Sequence, residues 1–167
     1  HDGDSNQDVK SIDLGGNVAF DDDGPSITQA APTDTVVLNT QDADTEGVAS
    51  DSDAKSFAAS FSLASTDYGA DGAGSTAWAY AFSVSSQGVD SGLNAAAGDI
   101  RLYLIAGKIV GSTSATEGGV NAGNTVFDLA VNASSGDVTL TQYSAIEHDG
   151  PGASSNFDAQ EAVLGTG

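Results

Sequence analysis

Apolar residues in this chain recur at every second position and hardly anywhere at the 3.6-residue spacing of a helix face, which commits most of the sequence to strands. In residues 55–63, Phe57, Ala59, Phe61 and Leu63 fall on one side, and Ser56, Ala58, Ser60 and Ser62 on the other. That is the pattern of a strand with one buried and one wet face. Residues 77–84 repeat it through Trp78, Tyr80, Phe82 and Val84, an alternating face that core packing explains better than a binding cleft. Residues 100–105 are more continuously apolar, and Ala106-Gly107 before residues 108–110 reads as a tight hairpin. Alternation returns in 125–131 through Phe127, Leu129 and Val131. Turn-forming residues follow at 132–137 and another strand at 138–143, making a second hairpin. Shorter strands are expected at 35–38, 7–14 and 17–20, with Gly15-Gly16 separating the last two. About eight short strands between Gly, Ser, Asn and Asp clusters point to an all-β fold, an antiparallel β-sandwich of immunoglobulin-like or jelly-roll-like type. A single helical segment is admissible at 156–164.

The sharpest break is Asp21-Asp22-Asp23-Gly24-Pro25. Three adjacent carboxylates cannot be buried without a counter-charge, and Gly-Pro stops both a helix and a central strand. Residues 1–20 are therefore expected to be a strand segment that completes a split or preceding β-domain. Residues 21–25 form an acidic junction, and 26–167 form the sandwich.

Charge narrows the range of functions. The 167 residues carry 24 Asp plus Glu against 4 Lys plus Arg, a formal net charge of -20. Lys10, Lys55, Arg101 and Lys108 are isolated from one another, so no cationic patch exists to neutralise phosphates, and neither nucleic acid nor an anionic membrane surface is an expected partner. With no Cys, disulfides, zinc-thiolate centres and cysteine nucleophiles are excluded. The longest strongly apolar run, 100–106, contains Arg101 and falls far short of the roughly 20 residues of a membrane span. No membrane insertion is expected, and no signal peptide opens the sequence.

Glu occurs only at positions 46, 117, 147 and 161, so the other acids are all Asp, a loop residue and a compact oxygen ligand. Calcium takes six to eight oxygens at about 2.3–2.6 Å, which needs carboxylates converging from flexible loops. Closely spaced acids that fit this chemistry are Asp2 and Asp4; Asp21, Asp22 and Asp23; Asp42 and Asp44 with Glu46; Asp51 and Asp53; Asp67 and Asp71 around Gly69; and Glu147 with Asp149. The plainer reading is solvated loop acids that keep the chain dissolved. No EF-hand loop is present, because Asp42-Ala43-Asp44 lacks the Gly at position six and the Glu at position twelve. Catalytic patterns are thin. His1 and His148 each precede Asp-Gly, no Gly-x-Ser-x-Gly elbow occurs, and nothing singles out a general base, so an enzyme is not expected.

The segment Phe20-Asp21-Asp22-Asp23-Gly24-Pro25-Ser26-Ile27, preceded by His1-Asp2-Gly3-Asp4-Ser5, resembles the junction between tandem repeats of bacterial RTX adhesins exported by type I secretion. Residues 67–75, and the hairpin 126–131 with 136–148, are similar to segments that recur in those repeats. The resemblance implies a calcium-dependent, monomeric β-sandwich module on the extracellular surface of a Gram-negative bacterium, serving cell adhesion and biofilm attachment. Its partners would be neighbouring domains of the same adhesin chain and a peptide or glycan on a host or other cell. Two departures stand out: the glycine-rich nonapeptide repeats are missing, and the Asp-Gly-Asp strand opens the chain instead of ending a repeat.

Two roles follow. In one, a loop-borne calcium with an open position binds a target, and residues 40–54, 68–76, 111–124 and 147–156 supply unusually long loops; Asp67, Asp71 and Tyr68 are the ligand-binding candidates. In the other, every ion is closed and the module is a structural extender that projects binding domains from the cell. A metal-dependent hydrolase is a remote third reading.

Overall fold

The computed structural model describes residues 25–147 apart from 34, 46, 70 and 71. The strands expected at 7–14 and 17–20, the acids of the 21–25 junction and the helix expected at 156–164 lie outside the described residues. Within them the fold is an all-β sandwich, with a two-stranded and a six-stranded sheet, both antiparallel. The small sheet pairs β1 (Ser26–Gln29) with β3 (Leu63–Asp67). The large sheet contains β2 (Asp51–Ser56), β4 (Val89–Ala95), β5 (Gly98–Ile105), β6 (Lys108–Ser112), β7 (Thr125–Val131) and β8 (Asp137–Gln142). Its strand order is β2-β8-β7-β6-β5-β4, a five-strand meander with β2 added beside the last strand.

Local chemistry explains the meander. The β5–β6 hairpin turns on Ala106 and Gly107, with φ of 50° and 80°, the left-handed pair that matches strand twist in a two-residue turn. Asn132 closes the β7–β8 connection. Its side chain accepts from Ser134 N, and its backbone both donates to Asp137 O and accepts from Gly136 N.

Register then sorts the side chains. Leu102 lies opposite Gly111, Leu104 opposite Ile109, Ile109 opposite Leu129, and Leu129 opposite Leu140. This face is the core, where Ile100, Leu102, Ile109 and Phe127 are buried and Phe82, Val84 and Ile146 pack against them. At about 25 cal/mol per Å² of apolar surface removed from water, each such side chain contributes roughly 1.5–3 kcal/mol. Tyr103, Val110, Asp128 and Thr141 form a row across the opposite face.

Three strand expectations need correction. Residues 55–63 are not one strand. β2 stops at Ser56, where Phe57 N turns to Gly136 O, and a 3-10 turn, Ala58–Ser60, follows through Ser60 N to Phe57 O. The small residues of Ala58-Ala59-Ser60 lack the β-branched bulk that holds an extended chain. Residues 77–84 keep the expected alternation of burial but belong to neither sheet: Phe82 and Val84 cover the core, while Trp78 and Tyr80 stack on each other and Phe61 packs at a tilt against both. Residues 35–38 also alternate without a ladder. The strand β4 was not anticipated.

Candidate functional site

Four of the six described acids expected to hold calcium, Asp42, Asp51, Asp53 and Asp67, act as hydrogen-bond acceptors for their own surroundings. Asp42, in the 3-10 turn Asp42–Thr45, accepts at Oδ1 from Gln142 Nε2 and from Ile146 N, 3.2 Å away, pinning that turn to the end of β8. Asp51 accepts from Gln41 N at 2.9 Å, and Asp53 from Asn39 N at 3.1 Å and Lys55 Nζ at 2.6 Å. The Lys55 hydrogen bond, followed by that of Asn39, holds the Asp53 carboxyl below the usual carboxylate range. Asp67 Oδ1 accepts from Gly69 N at 2.9 Å, an Asx turn that opens the loop after β3. In that loop Tyr68 is half-buried with its ring against Gly74. Asp44 is exposed, and Glu147 joins the fold through its backbone bridge to Asn94. Among the described residues no three acidic or imidazole side chains converge as ligands for a cation. Asp2, Asp4, Asp21, Asp22, Asp23, Glu46, Asp71 and Asp149 lie outside the described residues.

A recess lies elsewhere, on the outer face of the six-stranded sheet. The long β6–β7 connection, residues 113–124, folds back over this face. Ser112 Oγ donates to Asn124 and accepts from Ser114 N, and Tyr103 OH donates to Ser114 O at 2.7 Å. The Asn121 and Asn124 amides both donate to Gly119 O at 2.9 Å, and Asn124 Oδ1 accepts from Asn121 N. A loop whose polar groups satisfy one another in this way is a fixed wall, so the recess beneath it exists before any ligand arrives.

The recess has a volume of about 410 Å³. Ile105, Val110, Thr125 and Asp128 line it from the sheet, Val120, Asn121 and Ala122 from the loop, and Tyr143 from the chain after β8. Asp128 is the unusual member: a carboxylate in the middle of β7 with only 9% of its surface exposed. A buried charge persists only when paired and hydrogen-bonded. Both requirements are met at one oxygen, where Tyr143 OH donates to Oδ2 at 2.8 Å and Lys108 Nζ lies 3.3 Å away. Oδ1 takes no hydrogen bond from the described residues. Partial burial, then the Asp128 hydrogen bond and charge, push the Tyr143 phenol above its ordinary value.

None of Asp128, Lys108 and Tyr143 was singled out from sequence as a site residue. The available signal was Val126-Phe127-Asp128-Leu129-Ala130-Val131, where one acid interrupts an otherwise apolar strand. The 113–124 wall, by contrast, falls within the 111–124 stretch already noted as long for a bare connection.

A family model described as a domain of unknown function, DUF5801, matches residues 34–166. The chain belongs to that family. The matched span of this DUF5801 chain includes β2 to β8 and every residue of the recess, and it begins after β1. No curated protein and no solved structure matches the DUF5801 chain.

Proposed function

We propose that this DUF5801 chain is a non-catalytic, calcium-dependent module of a large bacterial surface adhesin of the RTX type exported by type I secretion. It works outside a Gram-negative cell, joined to neighbouring domains of its own polypeptide, and attaches the cell to a peptide or glycan on a host or other surface. The observation that carries the reading is charge: 24 acids face 4 cations. Two of those cations, Lys55 and Lys108, are already paired with Asp53 and Asp128. Such an excess is self-repelling, and divalent cations relieve it.

Thermal unfolding in millimolar calcium and in chelator tests this. Ligands that bind the folded chain alone stabilise by mass action, about 2.7 kcal/mol at a hundred times Kd. The melting temperature is expected to rise in calcium, and identical melts would overturn the reading.

The extender role is favoured by a separate observation. Asp42, Asp51, Asp53 and Asp67 all accept backbone N–H groups of nearby segments, which stiffens loops without presenting them to a target. A glycan and peptide array, probed with calcium and then with chelator, separates the two roles: calcium-dependent capture supports the binding module, and a blank array with an intact calcium-dependent melt supports the extender.

A further inference from the structure

From the recess on the outer sheet face we infer that this chain binds a primary alkylammonium group, the chemistry of a lysine side chain, with the aliphatic stem on Ile105, Val110 and Val120 and the ammonium on Asp128. This goes beyond the calcium reading and does not depend on it.

Several observations lead there. Ile105, Val110, Val120 and Ala122 give the recess apolar surface, Asn121, Thr125 and Tyr143 give it neutral polar groups, and Asp128 is its one charged group, so it complements a ligand with an aliphatic stem and one cationic head. At about 410 Å³ it admits a side chain of lysine size with part of its backbone. Asp128 already receives an ammonium, from Lys108, but at Oδ2 alone, which leaves Oδ1 to accept from a second donor. The Lys108 side chain is about half-exposed, so it can swing toward solvent as an incoming ammonium takes its place. Attraction to a chain of net charge -20 brings cations toward the site and repels anions from it. The hydrogen-bonded 113–124 wall and the Tyr143 phenol, fixed on Asp128, give the recess its shape beforehand.

Lys108 makes the idea testable in both directions, because it is the incumbent on the carboxylate that the ligand needs. The experiment is an amide NMR titration of the full 167-residue chain, run once in calcium and once in chelator. The probes are N-acetyl-lysine-N-methylamide, the neutral isostere N-acetyl-norleucine-N-methylamide, and n-pentylammonium. Lysine and pentylammonium should shift the amides around Val110, Thr125 and Tyr143, with norleucine weaker by roughly tenfold, as expected for loss of one charge-assisted hydrogen bond. Pentylammonium matching the lysine derivative assigns the site to free amines, and a tighter lysine derivative assigns it to peptide-borne lysine; both uphold the inference. Asp128→Asn should reduce lysine binding to the norleucine level. Should that variant fail to fold by circular dichroism, Lys108→Ala reads the same charge with Asp128 intact, and it should tighten lysine binding several-fold by removing the competitor. Equal binding of lysine and norleucine, no shifts at these amides, or weaker binding in Lys108→Ala would overturn it.

Discussion

Gly111→Ala tests how tightly the core face is assembled. Gly111 sits mid-β6 directly opposite Phe127, and both are buried. A Cβ on Gly111 would lie 2.4, 2.5 and 2.8 Å from three carbons of the Phe127 ring, where ordinary contact needs 3.4–4 Å. The ring cannot yield freely, because Phe127 is only 3% exposed and is flanked on β8 by buried Gln142. Either β6 and β7 spread or the ring leaves its rotamer, and overpacking of this kind costs about 1–3 kcal/mol. Against this, Ala loses less conformational entropy on folding than Gly, a gain of about 0.4–1 kcal/mol. Overpacking wins by about 1–2 kcal/mol. With a urea m-value of about 2 kcal/mol/M, the unfolding midpoint should fall by roughly 0.5–1 M. Phe127→Leu in the same background should recover part of the loss, with a coupling of at least about 0.5 kcal/mol between the two sites. A midpoint that stays or rises in Gly111→Ala, or a strictly additive double mutant, would refute this account of the core.

Ala106 holds a φ of 50°, a conformation that Asn tolerates better, so Ala106→Asn should raise stability by up to about 1 kcal/mol in a thermal melt. Because the Tyr143 phenol is raised above its ordinary 10.0 in the folded chain, its contribution is complete below pH 10 and is lost as pH climbs through the elevated value. Ring resonances of Tyr143 followed by NMR should titrate late, and Asp128→Asn should bring the transition earlier. The Asp53 carboxyl is shifted the other way, so its tie to Asn39 is present above the ordinary 3.8 and is lost as pH falls through the depressed value. The Asn39 amide proton should then move upfield in an acid titration, and a shift complete by pH 5 would count against the tie.

The parts of the fold legible in the sequence are those held by local chemistry. Ala106-Gly107 and residues 132–137 carry their turn conformations in their own residues, and the apolar runs on either side of them placed β5, β6, β7 and β8 to within two residues. Where a segment's neighbours are distant, the pattern misled. Residues 77–84 alternate because they lie over a core, and alternation reports burial on one side without saying whether a ladder exists. β4 went unseen because its inward residues, Val89, Ser91, Leu93 and Ala95, include a serine. Ser91 is 1% exposed, and its hydroxyl donates to Ile100 O at 2.6 Å, a long-range partner that no local pattern announces. The recess was hidden for a similar reason. Asp128 and Tyr143 are 15 positions apart, and only the β7–β8 register makes them neighbours.

The two outer strands of the large sheet bear on how such chains behave when crowded together. β4 loses register between Asp90 and Asn94, with Gly92 at a φ of 75°, and its far side is taken at Asn94 by Glu147. At the opposite border, Asp51, Asp53 and Lys55 hold residues 37–41 beside β2 through side-chain contacts, not through a ladder. A kinked border and a border shielded by carboxylates both deny an approaching strand the straight row of N–H and C=O groups it needs for pairing. Copies held at the high local concentration of one surface or one polypeptide would therefore touch without zipping together. At the β4 border that resistance to fibrillar association would come from backbone geometry, and added salt, which screens the repulsion between acidic copies, would leave it intact there.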